Sequence, residues 1–132
     1  MSITQMPMWH EKDPADVVRD EVGDLSNVTV FHNQILVGIY TRPNKTKSGI
    51  ILTEKTQQED VFQGVVGLVL KVGPTAFQDD ANNQFRGQSV KEGEWIVYRP
   101  SDTHKVSVNG KVCRLLEDAH VKLRVAHPDM VF

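Results

Sequence analysis

The sequence has little cysteine, no excess of one charge and no long apolar run. Its single cysteine, Cys113, excludes an internal disulfide and any multi-cysteine metal site, which favours a reducing, cytoplasmic setting. A net charge of −2 over 132 residues is not the excess of positive charge that binding to nucleic acid or anionic lipid requires. No stretch approaches the roughly 20 apolar residues of a membrane helix, and the N-terminus has no signal-peptide pattern. We expect one soluble domain without nucleic-acid or membrane partners.

Residue types that support catalysis or metal binding are present, but they lack the required spacing. Ser101, Asp102 and His104 lie within four residues, whereas the members of a nucleophilic triad come from separated segments. A polar turn after Pro100 is the better interpretation. The sequence therefore predicts no enzyme, no cofactor and no metal site. Five histidines show no metal-ligand spacing: His10, His32, His104, His120 and His127.

Residues 1–27 predict a short helix ahead of the main domain. Asp13 is a suitable N-cap, Pro14 suits the first helical position and Gly23 suits the end. A helix of this length is unstable alone, so we expect it to dock on the rest of the chain.

From Val28 onward the patterns predict strands. Asn109-Gly110 is a strong hairpin signal, and Gly67 indicates a bend or bulge in its strand. Two long stretches without a strand pattern, 41–63 and 74–93, are of a length usually found in functional or disordered loops. The sequence predicts a mostly β protein, a small barrel or sandwich. The predicted strands cover 33–40, 64–73, 94–98, 104–116 with the hairpin, and 121–125.

The segment 44–60, NKTKSGIILTEKTQQED, places three aliphatic residues in a polar stretch. From the residues alone, Ile50, Ile51 and Leu52 fit a strand buried in the protein's own core. They also fit a surface loop whose apolar partner is another protein.

Five segments follow one another along the chain: residues 33–37, 45–52, 67–73, 90–98 and Asn109-Gly110. Their order and sequences resemble the GroES-type co-chaperonin family from about Val28 to Val125. Residues 33–37 take the place of the family's first strand. Residues 45–52, KTKSGIIL, match its mobile loop KTKGGIIL without a gap from that strand. Residues 67–73 and 90–98 match two further strands, and Asn109-Gly110 takes the place of its Asp-Gly hairpin.

The resemblance implies a GroES-like irregular β-barrel over 28–125, with a mobile loop at 41–63 and a roof hairpin at 74–89. It further implies a ring of seven that lids a chaperonin and assists ATP-dependent folding. Gly49 and the Ile50-Ile51-Leu52 tripeptide would then bind an apolar groove of the chaperonin apical domain. Further implied residues are Val28, Val30, Val121, Leu123 and Val125 at the subunit interface, and Phe77, Asp79, Asp80 and Phe85 in the roof.

The chain also departs from the family pattern. The segment that leads from the mobile loop to the next strand, residues 53–66, is about four residues longer than is typical of the family. Residues 1–27 and 126–132 extend beyond the family domain. These departures leave a second hypothesis open. The chain would be a structural protein of a viral capsid or other shell, located in the virion as a decoration or minor protein that reuses the co-chaperonin fold.

Overall fold

The structure, a computed structural model, describes residues 8–43, 49–79 and 84–131. Within these ranges the chain forms one six-stranded sheet, two helices and three short 3-10 turns. The helices are α1 (Pro14–Val22) and α2 (Glu54–Gln63), and the turns are Pro100–Asp102, Asp118–His120 and Pro128–Val131. The strands are β1 (Gln34–Ile39), β2 (Val66–Val72), β3 (Trp95–Val97), β4 (His104–Val108), β5 (Lys111–Glu117) and β6 (Leu123–Val125).

The sheet is antiparallel throughout, with strand order β4-β5-β1-β2-β3-β6. The mostly β prediction is confirmed, but the described sheet is open rather than a closed barrel, because β4 and β6 form its two edges. Closure would require these edges to pair, and β6, with three residues, has few backbone groups to offer. The architecture is consistent with the GroES-like fold.

Each predicted strand contains or overlaps a strand of the structure, and the predicted hairpin turn is present. Asn109 and Gly110 join β4 to β5 with φ angles of 52° and 80°. Two successive positive φ values are the requirement of the type I′ hairpin turn, which Asn-Gly meets at low cost.

Both faces of the central strands are buried, which explains why β1 and β2 are apolar at almost every position. On one face, Leu36 and Leu68 belong to a core cluster with Val18 and Val22 of α1. On the other face lies a second buried cluster. Its fully buried members are Ile35, Val37, Val69, Ile96, Tyr98 and Leu116.

Helix α1 forms as predicted and packs on the sheet. The Asp13 carboxylate accepts a hydrogen bond from the backbone N–H of Ala15 at 2.9 Å, and Gly23 ends the helix with φ 81°. The helix can approach β1 closely because residue 38 is glycine. A Cβ atom at Gly38 would lie 2.4 Å from Cγ1 of Val18 and 3.2 Å from Cδ1 of Leu70.

The prediction of a bulge at Gly67 was wrong in its position. Gly67 is paired regularly with Ile39 and Ile96, and the register shift lies further along, where Leu36 pairs with Lys71 and Val37 with Val69. Gly67 is needed for a different reason, since a Cβ there would lie 2.2 Å from Cγ1 of Val37.

Docking of α1 through Gly38 can be tested by a double-mutant cycle. Gly38→Ala should lower the free energy of unfolding by about 1–3 kcal/mol, because the added methyl group overpacks against Val18. Val18→Ala removes the clashing methyl groups, so in that background Gly38→Ala should cost less. Chemical denaturation of the four proteins measures the coupling energy. Additive costs would contradict the packing of α1 on β1.

Candidate functional site

The aliphatic tripeptide lies on the surface of the described structure. Ile50 is 56% exposed and Ile51 is 73% exposed, while Leu52 is half-buried. Gly49, directly before them, has φ 92°, and a Cβ atom there would meet nothing within 4 Å. The first part of the family-like motif, residues 45–48, lies outside the described residues. Since large aliphatic side chains are seldom left in solvent side by side without a purpose, the tripeptide is the candidate binding element.

The tripeptide is followed directly by α2, a helix in a stretch that the sequence pattern left without an element. Thr53 caps the helix by accepting a hydrogen bond from the backbone N–H of Thr56 at 3.2 Å. Gly64 ends it, where a Cβ atom would lie 2.3 Å from the carbonyl oxygen of Asp60. The long loop predicted at 41–63 is therefore wrong in its second half, which is helical.

A buried ion pair joins α2 to the segment that leaves β1. Asp60, 5% exposed, accepts hydrogen bonds at 2.9 Å from Nε, Nη2 and the backbone N–H of Arg42. Gln57 of α2 adds a bond from its Nε2 to the Arg42 carbonyl oxygen at 3.1 Å. The hydrogen bonds to Asp60 raise the pKa of the Arg42 guanidinium. We call the Arg42–Asp60 pair the loop clamp, because it joins the two ends of the segment that carries the tripeptide.

The predicted roof segment also contains close contacts. The rings of Phe77 and Phe85, two of the residues that the resemblance places in the roof, meet edge to face with centroids 5.4 Å apart. Phe77 has φ 61°, an uncommon value for an aromatic residue, and its N–H donates to the buried Asp118 at 2.9 Å. No strand pairing is present among the described residues of 74–89, so the predicted hairpin is a turn-rich loop there.

Asp79 joins the first part of this roof loop to residues 85–87 in its second part. Its carboxylate accepts bonds from the backbone N–H groups of Phe85 at 2.6 Å, Arg86 at 3.0 Å and Gly87 at 2.8 Å. The bond from Gly87, with those from Phe85 and Arg86, lowers the pKa of Asp79. Asp80 lies outside the described residues, and the role of both acids in a roof stays a prediction.

Of the residues predicted at the subunit interface, Val121, Leu123 and Val125 lie on or next to the edge strand β6. Leu123 is 59% exposed on that strand, whereas Val28, Val30 and Val125 are half-buried against the protein's own core. Val121, just before β6, is likewise half-buried and packs against the second core cluster. Val28 and Val30 precede β1 and are not part of a described strand. Their role as an interface therefore stays a prediction.

The short segment that contains triad residue types is a polar turn, as the sequence indicated. Ser101 is exposed in the 3-10 turn, and Asp102 accepts hydrogen bonds from Arg99 at 2.8 and 3.1 Å. The bonds from Arg99 lower the pKa of Asp102. In the described part of the chain, neither helix has the length and apolarity needed to cross a bilayer.

Comparison with known proteins agrees with the resemblance seen in the sequence. A family model described as the chaperonin 10 kDa subunit matches residues 27–123. This match covers β1 to β5, the first residue of β6, the tripeptide, α2 and the roof loop. A search of curated proteins gives no match.

The loop clamp can be tested by Asp60→Asn. The amide cannot accept all three hydrogen bonds and removes the negative charge, so the change should cost about 1–3 kcal/mol of stability, the range for a buried donor that loses its partner. The loss should be local, with faster hydrogen exchange of the backbone amides of α2. Glu59→Gln, at an exposed position of the same helix, is the matched control. Unchanged exchange in Asp60→Asn would show that the clamp does not hold α2.

Proposed function

The chain belongs to the chaperonin 10 family, and we propose that it forms a ring-shaped lid that docks on a cytoplasmic chaperonin through Ile50, Ile51 and Leu52. Membership makes it a co-chaperonin, a class of oligomeric proteins that act with a chaperonin and are not enzymes in the usual sense. The identity of the docking residues, the lid and a ring of seven are the proposal. The observation that carries it is the exposure of Ile50 and Ile51 inside the family-matched range.

The energetics of the tripeptide favour a weak contact repeated around a ring. Burial of each large aliphatic side chain gains about 1.5–3 kcal/mol. Against this stand the cost of ordering a loop, about 1–2 kcal/mol for each residue fixed, and the cost of association itself. One loop would therefore bind weakly, and several loops on one ring would bind tightly through their high effective concentration. Weak single contacts also permit release, as a cycling lid requires.

The loop clamp reduces the part of the chain that must be ordered on docking. Arg42 and Asp60 fix both sides of the loop, and α2 begins at Glu54, two residues after the tripeptide. The segment left between the clamp and the helix is therefore short. Because α2 and the loop clamp are ordered before binding, fewer residues lose conformational entropy when the tripeptide docks. This supports the assignment of the tripeptide as the docking element.

An open sheet supports assembly through its edges. The outer side of β6 has no strand partner among the described residues, and an edge of this kind is a template for pairing with another chain. The exposed Leu123 on β6 would add apolar contact to such pairing. We propose that β6 meets the Val28–Val30 segment of the next subunit.

Docking through the tripeptide is tested by Ile51→Asp. Because Ile51 is 73% exposed, the change should leave the melting temperature almost unaltered. It should abolish binding to a purified chaperonin in the presence of ATP, since burial of an unpaired carboxylate in an apolar groove is costly and every loop of the ring carries the defect. Surface plasmon resonance or co-sedimentation measures the binding.

Val17→Asp is the matched control, because Val17 is an aliphatic residue, 37% exposed, on α1 and outside the loop. It should bind like the unaltered protein. A fall in stability of several kcal/mol in Ile51→Asp would instead assign Ile51 to the protein's own core. An unaltered protein that never binds a chaperonin would favour the alternative role as a component of a capsid or other shell.

Assembly is tested by sedimentation velocity at micromolar concentration. The unaltered protein should sediment as a closed oligomer, which we propose is a heptamer. Leu123→Asp should sediment as smaller species, because a charge on the exposed apolar position of β6 opposes contact with a neighbour. Val17→Asp should keep the size of the unaltered protein. A monomer in the unaltered protein, or full assembly of Leu123→Asp, would contradict the edge interface.

A further inference from the structure

Two histidines and an aspartate from the segments before α1 and after β6 meet in the fold. His10 precedes α1, while His127 and Asp129 belong to the segment after β6. Nε2 of His10 lies 2.9 Å from Oδ2 of Asp129, and Nδ1 of His127 lies 3.8 Å from the same oxygen. One possible ligand atom from each residue can be chosen so that all three lie within 4.8 Å of one another. We call this group the terminal cluster.

The distances in the terminal cluster suit a small transition-metal ion. Zinc binds histidine nitrogen and carboxylate oxygen at about 2.0–2.2 Å, so neighbouring ligand atoms of a tetrahedral site lie about 3.3 Å apart. The two separations to Oδ2 of Asp129, 2.9 and 3.8 Å, lie on either side of that value. Two imidazoles and one carboxylate, with water as a fourth ligand, form a common donor set for such ions.

The surroundings of Asp129 hold its carboxylate in one orientation. Asp129 is 5% exposed, and its Oδ1 accepts a hydrogen bond from the hydroxyl of Tyr40 at 2.5 Å. Its Oδ2 also accepts a bond from the backbone N–H of Met8 at 3.1 Å. Fixing of a ligating carboxylate by hydrogen bonds of this kind is the usual outer shell of a protein metal site.

The terminal cluster is accessible from solvent, and its present hydrogen bonds can be exchanged for bonds to an ion. The side chain of His127 is 44% exposed, so an ion can enter from solvent, whereas that of His10 is 17% exposed. Nδ1 of His127 accepts a hydrogen bond from the backbone N–H of Asp129 at 3.1 Å, and a bound ion would replace that hydrogen bond. Binding would replace the hydrogen bond between His10 and Asp129 with bonds from both groups to the ion.

We propose that His10, His127 and Asp129 bind one divalent transition-metal ion of the zinc class in each chain. The ion joins the segment before α1 to the segment after β6. The ion would also restrain Tyr40, which bonds to Asp129 and lies two residues before Arg42 of the loop clamp. A bound metal stabilises the folded state over the unfolded state, in which the three ligands are separated.

Titration of the metal-free, full-length protein with Zn²⁺ tests the proposal. Calorimetry should show one ion per chain, and saturating Zn²⁺ should raise the melting temperature by several degrees. Co²⁺ used as a probe should give the visible absorption of a site with nitrogen and oxygen ligands. His127→Ala should weaken Zn²⁺ binding by at least about tenfold, the effect of losing even an outer-shell partner.

His104→Ala is the matched control, because His104 is exposed on β4 and lies outside the terminal cluster. It should bind Zn²⁺ like the unaltered protein. His10→Ala gives a second variant, and the circular dichroism of each metal-free variant establishes that it is folded. Absence of Zn²⁺ binding in the unaltered protein, or equal affinity in His127→Ala and His104→Ala, would overturn the proposal and leave the cluster as a hydrogen-bonded contact.

Discussion

A buried carboxylate is stable only where hydrogen-bond donors reach it, and this constraint positions the irregular segments of the fold. Asp60, Asp118 and Asp129 are each about 95% buried and each accept hydrogen bonds from other segments. Asp60 holds the base of the loop that carries the tripeptide. Asp118 holds the start of the roof loop, and Asp129 joins both terminal segments to the end of β1. The sheet and the apolar packing of α1 supply the core, and these three side chains attach the tripeptide loop, the roof loop and the terminal segments to it.

This arrangement accounts for an exposed apolar element on an ordered protein. The core is complete without Ile50 and Ile51, because α1 covers one face of the sheet and a second cluster fills the other. The tripeptide therefore adds little to folding and is available to a partner. The loop is clamped at its base by Arg42 and Asp60, and a helix begins two residues after the tripeptide, so much of its return is ordered before any partner binds.

The strands were predictable because apolar alternation and the Asn109-Gly110 turn are local signals. Helix α2 was not predicted, since its sequence EKTQQEDVFQ has no apolar stripe; the signal that could have found it was Thr53 as a cap before a run of helix formers. The clamp and the terminal cluster join residues 18 and 119 positions apart, which no local spacing reveals. The resemblance located the tripeptide, but only the structure shows how its loop is closed.

The central claim is that the side chain of residue 51 is exposed in the free protein and becomes covered when a chaperonin binds. Thiol labelling of an Ile51→Cys protein measures this directly. The native Cys113 is fully buried, so it contributes little background. We predict rapid alkylation of residue 51 in the free protein and strong protection when the chaperonin and ATP are added. Slow alkylation in the free protein, or a rate that the bound chaperonin leaves unchanged, would contradict the account.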